Sequence, residues 1–411
     1  MDKIKVGIFG YSRGSSYVDS FLQNDAEIVA VCEKSPKRIA KAKEKLGENI
    51  AIYEDFDEFI QHDMDAVVLA NFFHEHTPYA IRCLEKNIHV FSECISNSTM
   101  AEGVQLVEAA EKSKAIYMLA ENYPYMRFNL EMKRVYEGGT LGKCVYAEGE
   151  YCHAGDPYHF SGLSNSLEHW RNHLPRTYYV THSLGPIMHA TGATPKKVTA
   201  LAAFAPDEGD VPTASYNGDK TAVIMTQNDD GSIFRFTGCA AFGGHHNAYR
   251  IAGTKGTIEN LRGMGNQVML RYNHWEMPEG AKEVELYEPK WNDKDEELFK
   301  NSGHGGGDYL TARLFIDCIK EGKEPEHPYD IYSAVAMSSV AILGHRSVLE
   351  GGAYYDIPDF RNEEDCKKYE NDRLSPFCGA KSESTLPACS HTDFKPTEKQ
   401  VELYRKLVME E

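Results

Sequence analysis

The sequence predicts an α/β protein of two parts: an N-terminal doubly wound parallel sheet, then an α/β domain with an open, largely antiparallel sheet. Two patterns carry this expectation. Up to about residue 123, short buried-strand runs alternate with helix-like segments, which is the signature of parallel βαβ units. Beyond about residue 143, strand runs follow one another without helices between them, which points to mixed or antiparallel pairing. At 411 residues the chain exceeds one ordinary core. We expect a nucleotide-binding domain over 1–123, a substrate-binding and oligomerisation domain over 124–360, and a tail over 361–411 that ends in a helix.

Composition narrows the function classes. Hydrophobic residues make up 42% and charged residues 26%, which are globular values. A formal charge of −18 argues against a nucleic-acid partner or an anionic membrane surface, because both need a basic face. No apolar run approaches the roughly 18 residues of a spanning helix. The N-terminal residues lead straight into a strand, with no signal-peptide core. The 10 cysteines lack C-x-x-C or zinc-ribbon spacing, so buried free thiols and a cytoplasmic setting are expected.

The first elements form a nucleotide site. Lys5–Gly10 is an apolar strand that ends in glycine, and the helix after it carries Tyr17, Val18 and Phe21. A second strand, Ile28–Cys32, ends at Glu33. This layout is that of a Rossmann dinucleotide-binding unit, in which the glycine turn lets the backbone approach a pyrophosphate at a helix N-terminus. In the G-x-G-x-x-G frame starting at Gly10, Ser12 and Ser15 replace two glycines, and Gly14, just after Arg13, falls one residue early. Glu33 would accept hydrogen bonds from the adenosine ribose and repel a 2′-phosphate, so the expected cofactor is NAD. Further strands, Asp65–Ala70, Ile88–Ser92 and Ile116–Ala120, bring Asn71 (with His76 beyond it), Glu93 and Glu121 to strand ends, where such sheets bind ligands.

The second half holds a different chemistry. Tyr178–Pro186 gathers phenols, hydroxyls and His182 ahead of a Gly185-Pro186 turn signal. Taken alone, His182 reads equally as a buried histidine satisfied by a carbonyl. Trp170 beside Arg171 suits stacking on a sugar face with hydrogen bonds to its hydroxyls, or a core anchor. His304–Asp308 reads as a flexible loop that meets a helix over Tyr309–Lys320, with Asp308 as its N-cap or facing a sugar hydroxyl. A long apolar helix is expected over Asp330–Glu350. Adjacent His245 and His246 point to opposite faces of a strand. No fixed spacing joins them to His153, His159 or His304, so no metal site is expected. The tail carries Cys366, Cys378 and Cys389 and a helix over Thr397–Met409.

Several motifs resemble the Gfo/Idh/MocA oxidoreductases over residues 1–360. Lys86–Glu93 is similar to that family's "GKHVLCEKP", and Gly139–Lys143 to its "G-x-LG-x" entry into the second domain. Where the family usually has the lysine of Glu-Lys-Pro, this chain has Cys94. Where it usually has an aspartate four residues before the catalytic histidine, this chain has Tyr178. Within that family, Tyr179–Pro186 resembles the "Y-P-T-H-G-L-G-P" of glycoside hydrolase family 109, the NAD-dependent α-N-acetylgalactosaminidases. Met118–Asn122 resembles their "MMMEN", His304–Asp308 their "HGGMD", and Ile357–Phe360 their "IPDF". Glycoside 3-oxidoreductases share the same scaffold.

The resemblance implies oxidation of a ring hydroxyl, at C3 of a sugar or glycoside. His182 would take the proton and Tyr179 would orient it. NAD would be held by Gly10, Ser12, Arg13, Gly14, Glu33, Asn71, His76, Glu93 and Glu121. The sugar would be held by Glu121, Trp170, Arg171, His304 and Asp308. The alternatives are a glycosidase that keeps its NAD through oxidation, elimination, addition and reduction, and a non-catalytic sugar or NAD sensor. A homo-oligomer, dimer or tetramer, is expected through the second-domain sheet.

Overall fold

The computed structural model describes residues 3–164, 166–290, 293–300, 302–377 and 386–409, so Cys378 lies outside the described residues. The chain forms two compact units. The first comprises 1–98, 102–130 and 290–335; the second comprises 99–101, 131–289 and 336–411. Residues 290–335 group with the first unit, and the tail from 361 groups with the second.

In the first unit, β1 (Ile4–Phe9), β2 (Ala26–Cys32), β3 (Ala51–Tyr53), β4 (Ala66–Leu69), β5 (His89–Ser92) and β6 (Tyr117–Leu119) form one parallel sheet. Its order is β3-β2-β1-β4-β5-β6. Ala66, Val67, Val68 and Leu69 are all fully buried, as a parallel strand covered on both faces requires. The order reverses between β1 and β4, and ligands bind beyond the carboxyl ends at such a reversal. Gly10 follows β1, and Asn71 lies just beyond β4. The helix Gly307–Glu321 joins this core through Phe315, whose ring is 5.3 Å from Phe91 and 6.3 Å from Phe21.

The second unit is built on a nine-stranded sheet: β7 (Cys144–Cys152), β8 (Pro195–Phe204), β9 (Asp219–Asn228), β10 (Ile233–Thr237), β11 (His246–Gly253), β12 (Gly256–Asn260), β13 (Val268–Tyr272), β14 (Val284–Tyr287) and β15 (Tyr355–Asp356). The order is β14-β13-β12-β11-β7-β10-β9-β8-β15, and of its pairings only β7–β10 is parallel. One face exposes Leu201, Val223, Met225 and Ile233. Against the sheet lies the helix Thr181–Thr191. Its approach depends on Gly149 in β7, where a Cβ would stand 2.0 Å from the Ser183 carbonyl oxygen.

The tail is pinned to the second unit by polar contacts. Ser390 donates its N–H and Oγ–H to the Asp219 carboxylate at 2.8 and 2.5 Å. Arg346 grips Asp372 through both terminal nitrogens. From the closing helix Glu398–Met409, the Tyr404 hydroxyl reaches the Ser166 carbonyl at 2.8 Å.

Candidate active site

The glycine turn is built by two close approaches. Gly10 has φ of 89°, and a Cβ there would meet the Ala70 carbonyl oxygen at 2.4 Å. At Gly14 a Cβ would meet Ile8 Cγ2 at 2.5 Å. Gly14 therefore lets the helix sit directly on β1, the role of the third glycine in the motif, one residue early. Ser12 is exposed in the first turn of that helix. Glu33 accepts the backbone N–H groups of Tyr11 (3.0 Å), Lys34 (2.9 Å) and Ser35 (3.0 Å), and so ties the glycine turn to the end of β2.

Arg13 stands elsewhere than expected. A guanidinium has five N–H donors, and all five are engaged within the first unit. Nε donates to Glu93 at 2.6 Å; the terminal nitrogens reach Ser16, Tyr17 and both oxygens of Asp308 at 2.5, 2.7, 3.2 and 2.9 Å. These bonds occupy the donors that a pyrophosphate contact would need. It is a clasp between Glu93 and the segment that begins at residue 290.

Asp308 belongs to the same clasp. Its side chain is fully buried, accepts from Asn122 at 2.6 Å and lies 3.1 Å from His304 Nδ1, so it faces no sugar. Nor is it an N-cap, since Gly306 holds that position. Burial opposes its ionisation, but hydrogen bonds from His304 and Arg13 outweigh burial and hold its pKa well below the usual carboxylate range. Glu93 is likewise depressed: burial pushes it up, and Arg13 and Tyr17 pull it further down.

Glu121 is fully buried at the end of β6. One oxygen accepts the Tyr123 N–H at 3.1 Å, and the other accepts the Cys94 thiol at 3.3 Å. Sequence reasoning left Cys94 without a role, and the structure makes it a donor to this carboxylate. His76 opens the helix His76–Glu85, with Nδ1 3.0 Å from the Ile95 carbonyl, and burial pushes its pKa down. Asn71 Oδ1 is buried and, among the described residues, has no hydrogen-bond partner.

In the second unit, His182 lies in the helix Thr181–Thr191, and the expected Gly185-Pro186 turn is inside that helix. Proline has no N–H to give the carbonyl four residues back. The carbonyl four residues back is that of His182, and the Tyr249 hydroxyl of β11 donates to it. The His182 ring is buried and flanked edge-on by Tyr151 at 4.9 Å and Tyr179 at 5.3 Å. Those two phenols stack on each other at 5.9 Å. Tyr151 and Tyr179 also line a cavity of about 370 Å³ within this unit, as does Arg171. Trp170 does not line it. Its ring is buried, with the Arg171 guanidinium 4.3 Å from its centroid, an environment that suits the core-anchor alternative. Tyr178 is fully buried, edge-on to Phe377 at 5.2 Å. Tyr151 and Tyr249 escaped sequence reasoning; the alternation of β7 was the available signal for Tyr151.

Two family profiles match the chain. "Oxidoreductase family, NAD-binding Rossmann fold" covers residues 4–121, and "Glycosyl hydrolase 109, C-terminal domain" covers residues 125–366. The chain belongs to the glycosyl hydrolase 109 family. A glycosyl hydrolase family 109 protein of Shewanella pealeana is 26% identical over 409 residues, spanning 88% of this chain and 86% of that relative. Among solved structures, levoglucosan dehydrogenase in complex with NADH and L-sorbose superposes with a TM-score of 0.74 at 17% identity, over 87% of this chain and all (100%) of that one. An aldose-aldose oxidoreductase from Caulobacter crescentus gives 0.67 at 19% identity, over 86% and 99%. At these identities the likeness is one of fold.

This glycosyl hydrolase 109 member is an NAD-dependent enzyme of the Gfo/Idh/MocA type. The first unit fits that cofactor. Gly10 lets the turn after β1 close against the Ala70 carbonyl, and the buried Asn71 acceptor suits a ribose hydroxyl or a carboxamide N–H. Glu33 accepts three backbone bonds and retains acceptor room on Oε2 for a ribose hydroxyl.

Proposed function

We propose that this enzyme oxidises a secondary hydroxyl of a sugar or glycoside, at C3 of the ring, with NAD as hydride acceptor. The observation that carries this is His182: a buried imidazole held between two tyrosines that also line the cavity of its unit. An imidazole takes a proton near neutral pH. His182 removes the hydroxyl proton, and Tyr179 orients it and bonds the reacting oxygen. When bound, NAD supplies the redox chemistry by taking the hydride. Asn71, Glu33 and Gly10 hold it, and Glu121 holds the reacting sugar. Levoglucosan dehydrogenase and the aldose-aldose oxidoreductase, both named for sugars, share the fold and support the substrate class.

Family membership favours a second reading, redox-neutral glycoside cleavage. A ketone at C3 acidifies the C2 proton, whose removal expels the aglycone from C1; water adds at C1 and the ketone is reduced again. The first half is common to both readings. Incubating the purified enzyme with a panel of glycosides and weighing the products separates them. Loss of two hydrogens means net oxidation, free aglycone with an unoxidised sugar means cleavage, and no change in any glycoside sinks both. The exposed apolar residues Leu201, Val223, Met225 and Ile233 support an assembly through the sheet, and a monomer by light scattering would reject it.

A further inference from the structure

We propose that the cavity of the second unit selects a substrate carrying an oxyanion substituent (carboxylate, sulfate or phosphate), held by Arg171 and Arg176. The inference rests on the sugar oxidoreductase reading only for the rest of the substrate. The anion site itself stands on the cavity.

Four charged side chains line that cavity: Arg171, Arg176, Lys220 and Asp207. Lys220 and Asp207 pair with each other at 2.5 Å and cancel. The two guanidiniums do not cancel. Arg171 lies over the Trp170 ring, and Arg176 donates Nε to the Asp219 backbone carbonyl at 2.6 Å. Among the described residues neither has a carboxylate partner. Both line one cavity with Cys239, whose thiol hydrogen-bonds Arg176 and feels the charge of both. The imidazoles of His153 and His159 line the cavity too.

The chain carries a formal charge of −18, and Arg13, Arg313 and Arg346 are each gripped by carboxylates. An acidic protein surface repels anions at long range. Two arginines with no carboxylate partner among the described residues, in a confined, partly desolvated cavity, reverse that locally. A guanidinium presents a planar fork that matches carboxylate, sulfate or phosphate with two parallel hydrogen bonds, and no neutral sugar hydroxyl uses both of its arms as well.

Calorimetric titration of the NAD-loaded enzyme tests this with four probes: methyl α-D-glucopyranoside and its 6-phosphate, 6-sulfate and 6-carboxylate (uronic acid) counterparts. At least one anionic probe should bind tenfold or more tighter than the neutral one, with the preference falling as salt rises. Which of the three binds best identifies the oxyanion. Arg171→Gln and Arg176→Gln should each reduce the ratio of anionic to neutral affinity by roughly tenfold, the worth of a charge-assisted hydrogen bond. Arg171→Lys should retain part of it. Circular dichroism checks that the variants are folded. Equal binding of all four probes, or an anionic preference unchanged in both glutamine variants, overturns the proposal. An anionic preference that collapses in the variants, without turnover of any probe, would uphold the anion site and count against the oxidoreductase reading instead.

Discussion

Arg13 in the first unit and Arg171 with Arg176 in the second are the same side chain in opposite states. Arg13 donates five hydrogen bonds to neighbours in its own unit. The pair in the cavity makes a hydrogen bond to a carbonyl, one with the Cys239 thiol and a contact with an indole face, and no bond to a carboxylate among the described residues. The first arrangement is complete without a ligand and the second is not. A guanidinium near a cofactor motif is thus no evidence of cofactor contact until its donors are counted. By the same count, Asn71 gains weight in the first unit because its buried oxygen has no partner among the described residues.

The strongest way to break this division is through His182. Replacing it with alanine should lower kcat by roughly 10²–10⁴-fold, the usual worth of a general base. NAD affinity, measured by fluorescence titration, should be retained, because the residues assigned to the cofactor are in the first unit. Loss of NAD binding in step with activity would make His182 a structural residue. Next in size is Asp308→Ala, which leaves the Arg13 guanidinium without its bidentate partner. Removing one member of a buried ion pair costs about 3–5 kcal/mol. We expect a loss at the lower end in urea unfolding, since Glu93 and Tyr17 still hold Arg13. Arg171→Gln, by contrast, should cost less than about 1 kcal/mol. A large loss there would erase the distinction between the two arginine environments.

These contrasts also show what a sequence reading reaches and where it stops. Strand runs such as Ala66–Leu69 and the residues Gly10, Glu33 and Asn71 at strand ends were legible, because burial and turn chemistry are local. The edge strand β3 was too short to read. In β8 the run of Ala200, Ala202 and Ala203 gave weak strand propensity, although nine-residue register with β9 holds it firmly. The Arg13–Asp308 clasp joins residues 295 apart, and no local pattern encodes such a pairing. The motif around His304 was visible, but its ion-pair partner was not. Pro186 misled most directly: a Gly-Pro pair reads as a turn, and only the distant Tyr249 makes its place in a helix tolerable.

A smaller effect concerns His345, a buried histidine of the second unit. His345 is 2% exposed, with Nε2 2.7 Å from the Pro387 carbonyl. Burial pushes its pKa down to about 4, despite that hydrogen bond. A depressed histidine contributes stability that is fully present above its unfolded value near 6.5 and lost as pH falls toward the folded value. The enzyme should therefore lose about 2 kcal/mol of unfolding free energy between pH 7 and pH 5 from this group. His345→Gln should remove that part of the slope. An unchanged slope in the variant would show that His345 is already solvated and that the tail does not seal it.

The finest test concerns the helix that carries His182. Tyr249→Phe removes the phenol O–H that the His182 carbonyl accepts, at a cost of about 1 kcal/mol. Pro186→Ala alone restores an N–H four residues on, where it competes with the phenol for the same oxygen. The double variant should therefore be more stable than the sum of the two single losses predicts, by about 1 kcal/mol in a urea double-mutant cycle. kcat should follow the same pattern, because a helix with a satisfied carbonyl holds the imidazole in one orientation. Strict additivity in both stability and kcat would mean that Tyr249 acts by packing alone. The placement of His182 would then rest on the approach that Gly149 permits between β7 and the helix.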